Sequence, residues 1–272
     1  MTVTNELNSL IESLASRLPA SMEKPENKRL ERTFKKSMSE YFLSMSEGFP
    51  YSEIENIYKT KVKEVTAPPK VSPSGEWDDW LDSVIKTYQA HLTSRIVAYI
   101  GNIYIAGSMQ MMSYGKTKLG IPILFEGPPM SQAVNWAQKY GAGLVTNMDI
   151  ETRSRLAQVI SDGINNKRGV DGIARDIRKE FTDMSRDRAD MIAQTESNSA
   201  LSQGAMDKMQ EMGIEGKEWI VIGDESTCDI CDGNANQGVI PIDQPFQSGD
   251  MQTPGHPRCR CATSPARLNR ND

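Results

Sequence analysis

The sequence predicts a mainly α-helical protein that ends in a small α+β module stapled by a Cys/His cluster. Three observations carry this prediction. Apolar residues recur at helical spacing through most of the chain up to Met212, which is the pattern of helices with one buried face. After Gly213 the pattern changes to short β-type segments, and all four cysteines lie between Cys228 and Cys261.

The N-terminal region, residues 1–66, is predicted to be helical. Apolar stripes mark a helix over residues 5–20, a second over residues 26–47 and a shorter one around residues 54–62. Residues 67–75 contain three prolines, which cannot continue a helix. We therefore predict a linker there and a domain boundary.

Residues 76–129 are predicted to hold one long helix, from about residue 76 to residue 112, and a connector. The helix contains the charge-free stretch 96–115, which carries three glycines and several polar side chains. A membrane span needs about 20 predominantly apolar residues, so this stretch is interpreted as a buried helix. No membrane partner is expected.

The remaining elements follow from the same reasoning. Helical spacing predicts helices at residues 131–140, 150–164, 169–181 and 185–212. Residues 218–222, around Trp219, are a strand candidate, and residues 238–242 form a second one whose proline is typical of a sheet edge.

Charge and composition limit the classes of function. The chain has 31 Lys+Arg and 36 Asp+Glu among 272 residues, so the formal net charge is −5. This mild acidity excludes a general electrostatic coat for nucleic acid, and any contact with DNA must be local. The sequence begins MTVTNELNSL, without the basic and apolar regions of a secretory signal.

The most informative motif is the pair Cys228 and Cys231, followed by His256, Cys259 and Cys261. Two thiolates in a C-x2-C pair, closed by a second group about 25 residues later, match the tetrahedral site that Zn²⁺ prefers. Five candidates compete for four positions, so one is spare, and the spacing does not say which.

Four protein ligands would close the site, so the predicted Zn²⁺ is structural and staples a module with little hydrophobic mass. The alternatives are two disulfides, or free thiols held by packing. A hydrolytic zinc site is disfavoured, because it needs an open position and the chain has only two histidines.

Other chemical signals are weak. Gly141 and Gly143 lack the context of a phosphate-binding loop, and no nucleophile elbow is present. Asp224 and Glu225 are interpreted as solvated loop charges. No catalytic residue is predicted, and the protein is expected not to be an enzyme.

Basic residues are concentrated around and after the cluster, at Arg258, Arg260, Arg267 and Arg270. They are candidates for local contact with nucleic-acid phosphates. The alternative is a solvated basic tail.

The run from Arg188 to Glu196, followed by Ala200 and Gly204, resembles the "ra..ia.TE...a...G" helix of the phage Mu F-like head morphogenesis family. The signature continues in order with Trp219, the acidic turn at Asp224, the Cys228–Cys231 pair and the segment from His256 to Cys261. The resemblance implies a Mu F-like head morphogenesis domain over residues 130–265, with a basic tail at residues 266–272. The family's arginine before Thr-Glu is Gln194 here, so no role of that arginine is carried over.

This resemblance implies a minor head protein of a tailed bacteriophage, associated with the portal vertex. Such proteins assist head assembly and, in some relatives, DNA packaging or delivery. The implied partners are the portal protein, the major capsid or scaffold protein and packaged DNA. The implied location is the virion, after synthesis in the host cytoplasm, in multiple copies.

Two other classes of function compete with this one. The first is a zinc-stapled DNA-binding module, and the second is a zinc-dependent or toxin-like enzyme. A separate hypothesis concerns Thr195 and Glu196, which lie in the middle of a predicted helix and are expected to brace the strand module.

Overall fold

The computed structural model describes residues 18–63, 78–123, 127–222 and 227–268. Helices dominate these residues, and a small sheet follows near the C-terminus, which confirms the predicted fold class. The helices are α1 (Pro25–Gly48), α2 (Tyr51–Lys63), α3 (Asp78–Thr117), α4 (Met130–Asn165), α5 (Val170–Asp183), a π-helical turn (Met184–Arg188), α6 (Ala189–Glu211) and α7 (Asp229–Asn236). The strands are β1 (Gly216–Ile220), β2 (Ile240–Pro241) and β3 (Ala262–Ala266).

Some predicted features lie outside the described residues. These are the first apolar stripe up to residue 17, the linker at residues 67–75, the Asp224–Glu225 pair and Arg270.

The chain divides into two compact units, each assembled from stretches that are distant in sequence. The described residues of the first unit fall within Met1–Lys35, Ala98–Ala137 and Met191–Asp272. The second unit is formed by Lys36–Val97 and Gln138–Asp190. The linear domain boundaries expected from the sequence stay a prediction.

In the first unit, α3 and α6 approach each other so closely that glycine is required on both helices. A Cβ atom on Gly204 would lie 2.0 Å from the backbone oxygen of Tyr104, and one on Gly107 would lie 2.0 Å from that of Leu201. Tyr104 also donates a hydrogen bond to Asp207 across this contact. Gly204, part of the sequence signature, is therefore a packing residue.

In the second unit, the core includes the predicted apolar stripe of α5. Ile173, Ile177 and Phe181 are fully buried. Phe181 meets the ring of Phe49 edge-on, with 5.6 Å between their centroids, and Phe49 makes a similar contact with Trp80.

The π-helical turn places Arg188 inside the second unit, where its side chain is 3% exposed. The guanidinium lies 3.0 Å from a carboxylate oxygen of Glu151, and it donates to Thr152 Oγ1 at 2.8 Å and to the Met148 oxygen at 3.0 Å. A buried charge needs such partners, because desolvation alone is costly. Arg188 is thus part of the core.

Several element boundaries differ from the sequence-based predictions. Residues 131–140 and 150–164 belong to one continuous helix, α4, because Val145 and Met148 of the intervening stretch are buried and hold it helical. The helix α7 and the strand β3 were not predicted. Helix α3 also continues to Thr117, past the expected end at residue 112.

The two strand candidates also shift. The first covers Gly216–Ile220 instead of residues 218–222, and the second shortens to Ile240–Pro241. Long-range pairing decides both boundaries, since β1 pairs with β2 on one side and with β3 on the other, antiparallel in each case.

Within the described parts of the chain, no helix has a stretch both long and apolar enough to cross a lipid bilayer. In the stretch 96–115, the side chains of Ile96, Ile100, Ile103 and Met111 are instead fully buried.

The sheet has the strand order β2-β1-β3. Trp219 of β1 lies opposite Thr263 of β3, and its ring meets Phe246 edge-on with 5.1 Å between centroids. The core of this module is a single cluster that contains three cysteines: Trp219, Cys231, Ile240, Phe246, Cys259 and Cys261. Three of the candidate ligands therefore lie in the core of this module, beside the sheet.

Candidate metal centre

The candidate ligands come from a helix start and from one irregular loop. Cys228 is the N-cap residue of α7, and Cys231 lies in the first turn of that helix. Residues three apart on a helix share a face, so the C-x2-C spacing directs both thiols to one side. The loop between β2 and β3 supplies His256, Cys259 and Cys261.

The five groups form two overlapping triads that share Cys231. One triad is Cys228, Cys231 and His256, and the other is Cys231, Cys259 and Cys261; in each, the donor atoms lie within 4.8 Å of one another. The Cys231 sulfur is 3.3 Å from His256 Nε2 and 3.7 Å from the Cys259 sulfur.

The two separations measured at Cys231 suit neighbouring ligands of a tetrahedral zinc site. Zn–S bonds of about 2.3 Å and Zn–N bonds of about 2.0–2.1 Å give tetrahedral edges of about 3.8 Å between sulfurs and about 3.6 Å between sulfur and nitrogen. The two measured separations are close to these edges. The Cys and His groups can therefore bind a metal ion of this kind.

The orientation of His256 also fits a metal ligand. Its Nδ1 lies 2.8 Å from the carbonyl oxygen of Pro257 and must donate to it, because a carbonyl only accepts. This fixes the tautomer and leaves the lone pair of Nε2 directed toward Cys231. Metal-binding histidines commonly donate their second nitrogen to a carbonyl in this way.

The buried indole of Trp219 provides a further test of fit. Its Nε1 is buried without a hydrogen-bond partner, and the indole lies close enough to Cys261 to favour the thiolate form of that residue. The hydrogen bond between Cys261 and Cys259 dominates, and together with burial it raises the pKa of Cys261. The indole N–H therefore stabilises negative charge at Cys261, whether or not this thiol is itself a metal ligand.

Without a cation, the electrostatics of the cluster favour a single thiolate. A bound cation would favour additional thiolates. The hydrogen bond from Cys261 lowers the pKa of Cys259 to about 5, whereas burial raises the pKa of Cys231 to about 12. A second thiolate beside the first is unfavourable because of burial and repulsion. A divalent cation offsets the cost of burial and the repulsion between the thiolates. Metal binding therefore deprotonates cysteine thiols.

All four cysteines are described, and none forms a disulfide. The 3.7 Å between the sulfurs of Cys231 and Cys259 is far beyond the S–S bond of about 2.05 Å. Of the alternatives left by the sequence, two disulfides are thus not found in the structure.

Helix α6 holds the ligand loop through a polar stripe that the sequence analysis identified only in part. Asn198 Nδ2 donates to the carbonyl oxygens of Cys259 at 2.9 Å and Cys261 at 3.2 Å. Thr195 Oγ1 accepts from the Arg258 backbone N–H at 3.0 Å, and Ser202 Oγ lies 2.7 Å from Thr253 Oγ1.

The stripe could have been found from spacing. Thr195, Asn198 and Ser202 follow each other at intervals of three and four, which places them on one helix face. The expected bracing of the strand module is thus provided by Thr195 and, unexpectedly, by Asn198. The role of Glu196 in this bracing stays a prediction.

The candidate phosphate-binding arginines have different surroundings. Arg260 is engaged by two carboxylates, at 2.5 Å from Glu23 and 3.0 Å from Glu31. Arg258 lies within the ligand loop, where its backbone has a positive φ of 64°. Arg267 is exposed. Nucleic-acid binding by these residues stays a prediction.

These observations define a class: a helical protein whose C-terminal module gathers thiol and imidazole donors beside a three-stranded sheet. Residues 152–264 match the family model described as phage Mu protein F like protein, which confirms the resemblance found in the sequence. The matched range includes all of α6 and the whole Cys/His cluster. The chain therefore carries a phage Mu F-like domain.

No curated protein sequence and no solved structure matches the chain. The match relates residues 152–264 to a family of phage head morphogenesis proteins.

Proposed function

We propose that the protein is a minor head protein of a tailed bacteriophage that associates with the portal vertex and assists head assembly. The match of residues 152–264 to the Mu F-like family is the observation that carries this proposal. Its partners are the portal protein and the major capsid or scaffold protein. Several copies around a portal ring would bind strongly through multivalency, without a large interface for each copy.

Assistance in DNA packaging or delivery is the finer part of this proposal. The exposed Arg267 supports a local phosphate contact, whereas Arg260 is already neutralised by Glu23 and Glu31. We therefore propose DNA as a secondary partner.

Co-sedimentation of the full-length protein with portal rings of the same phage tests the main proposal. We expect co-sedimentation that nuclease treatment does not abolish. Release of the protein by nuclease would instead identify DNA as the binding partner, and absence from both portal rings and procapsids would contradict the proposal. A globular protein of similar size and charge serves as the control for trapping.

We also propose that the Cys/His cluster holds a structural Zn²⁺ through Cys228, Cys231, His256 and Cys259. The short contacts of Cys231 with His256 and Cys259 support this set, as does the tautomer of His256. Cys261 is then the spare thiol, donating a hydrogen bond to the Cys259 sulfur. Four protein ligands leave no open position for a substrate, which agrees with a role outside catalysis.

Cys261→Ser and Cys259→Ser form a matched pair that tests this assignment. We expect Cys261→Ser to retain one zinc per chain and Cys259→Ser to lose it or bind it far more weakly. The measurement is metal analysis with thiol counting on protein purified without reductant. Loss of zinc in Cys261→Ser with retention in His256→Ala would identify a four-cysteine site instead.

A further inference from the structure

We infer that metal binding at the Cys/His cluster and docking of residues 18–31 onto the C-terminal module form one coupled equilibrium, with Arg260 as the link. This inference rests on the metal centre proposed above. It adds a conformational consequence: the metal controls whether the N-terminal segment, residues 18–31, is held.

Arg260 is positioned to connect the Cys/His cluster with the N-terminal segment. It lies between Cys259 and Cys261, and its guanidinium faces away from the sulfurs toward α1 and the residues before it. Nε and Nη2 lie 2.7 Å and 2.5 Å from Glu23 Oε1, and Nη1 lies 3.0 Å from Glu31 Oε2. The partners are separated by 237 and 229 residues in sequence.

The carboxylates are shielded from water, so their pairing matters. The side chains of Glu23 and Glu31 are 11% and 18% exposed. Burial alone would raise the pKa of Glu23, but Lys28 and Arg260 hold it below its ordinary value. Removing Arg260 from this site would leave two poorly hydrated carboxylates with less compensating charge, which is unfavourable.

The N-terminal segment has a second anchor that does not depend on the metal. Asn27 is fully buried, donates to the Ser21 oxygen at 2.7 Å and exchanges hydrogen bonds with Gln110 of α3 at 3.1 Å and 2.8 Å. Loss of the Arg260 contacts is therefore expected to loosen the segment without unfolding α3.

The loop around Arg260 has irregular backbone, so its conformation depends on what holds Cys259 and Cys261. Asn198 holds their carbonyl groups, and the proposed metal would hold the Cys259 sulfur. Without the metal the loop gains freedom, and the guanidinium no longer has one fixed position. Linkage requires the reverse effect as well: docking of the segment must raise metal affinity by the same factor.

Hydrogen–deuterium exchange of the full-length chain tests the forward effect. After zinc removal by a chelator, we expect amides of residues 22–31 to exchange at least about tenfold faster. Amides of α5 in the second unit serve as the internal reference. Unchanged exchange of residues 22–31, in a chain that binds one zinc, would overturn the coupling and leave the metal centre intact.

Zinc affinity tests the reverse effect. Arg260→Ala is expected to weaken zinc binding by about tenfold, and Glu31→Gln by a smaller factor, in competition with a chromophoric chelator. Arg267→Ala is the matched control, because it removes an exposed arginine seven residues further along the chain. Unchanged affinity in both Arg260→Ala and Glu31→Gln would overturn the inference.

The two proposals fail in distinguishable ways. A wild-type chain that binds no zinc overturns the metal centre and the coupling together. A chain that binds zinc without any change at residues 22–31 overturns the coupling alone. If Arg260→Ala does not fold, Glu31→Gln and Arg260→Lys provide the same comparison with smaller perturbations.

Discussion

The carboxamide of Asn198 is the clearest case of a single residue that positions the candidate ligands. It is 2% exposed and satisfies two carbonyl groups that flank Arg260. The amide therefore contributes both to stability and to the shape of the ligand loop. Its effect on the metal is indirect, through the backbone of Cys259 and Cys261.

We therefore expect Asn198→Ala to weaken zinc affinity by about 10–100-fold, the range found for groups that orient metal ligands. Stability should also fall by about 1–3 kcal/mol, because buried carbonyls lose a donor. A chelator competition assay and chemical denaturation measure the two effects.

Ser199→Ala is the matched control for Asn198→Ala. Its hydroxyl bonds only within the described helix, to the Thr195 oxygen at 3.0 Å. Equal zinc affinity in Asn198→Ala and Ser199→Ala would show that the amide does not position the ligands.

At this scale the sequence identifies candidate ligands more readily than the residues that orient them. Thiols and imidazoles with C-x2-C spacing have few common roles, so Cys228, Cys231 and His256 stand out. An asparagine on a helix face has many roles. The role of Arg188 is equally hard to predict from sequence. Its buried ion pair with Glu151 depends on a π-helical turn that residue spacing alone does not reveal.

At the scale of elements, the contact between α3 and α6 has the least tolerance for added volume. Gly204→Ala would bring a methyl group against the backbone oxygen of Tyr104, which cannot rotate away as a side chain can. We expect a loss of stability of about 1–3 kcal/mol, the range for overpacking, and more if the helices cannot separate.

Gly143→Ala is the matched control in α4, where an added Cβ meets nothing within 4 Å. It should increase stability by about 0.5–1 kcal/mol, since alanine loses less backbone entropy in a helix. Thermal and denaturant unfolding of both variants give the comparison. A Gly204→Ala protein as stable as Gly143→Ala would contradict the close helix contact.

Helices were predicted well because their signal is local and repeated. The apolar stripe of α5 appears in the sequence and is buried in the structure. Strands β1 and β2 were predicted at shifted bounds and β3 was not predicted, because long-range pairing selects the residues of all three strands. The predicted gap between residues 140 and 150 is also absent, because buried Val145 and Met148 keep this stretch of α4 helical.

At the scale of the whole molecule, charge separates the two leading classes of function. The chain has a net charge of −5, and Arg260 is already paired with Glu23 and Glu31. A DNA-binding module with 6–10 phosphate contacts would lose about 10³–10⁵ in affinity between about 50 mM and 200 mM salt.

We expect the full-length protein to bind duplex DNA weakly, with a much smaller salt dependence. Fluorescence anisotropy across this salt range measures the slope, and Arg267→Ala measures the share of one exposed arginine. A steep slope that Arg267→Ala reduces by about one would favour the zinc-stapled DNA-binding module. A shallow slope, with portal binding that persists at the higher salt, would favour assembly through protein contacts.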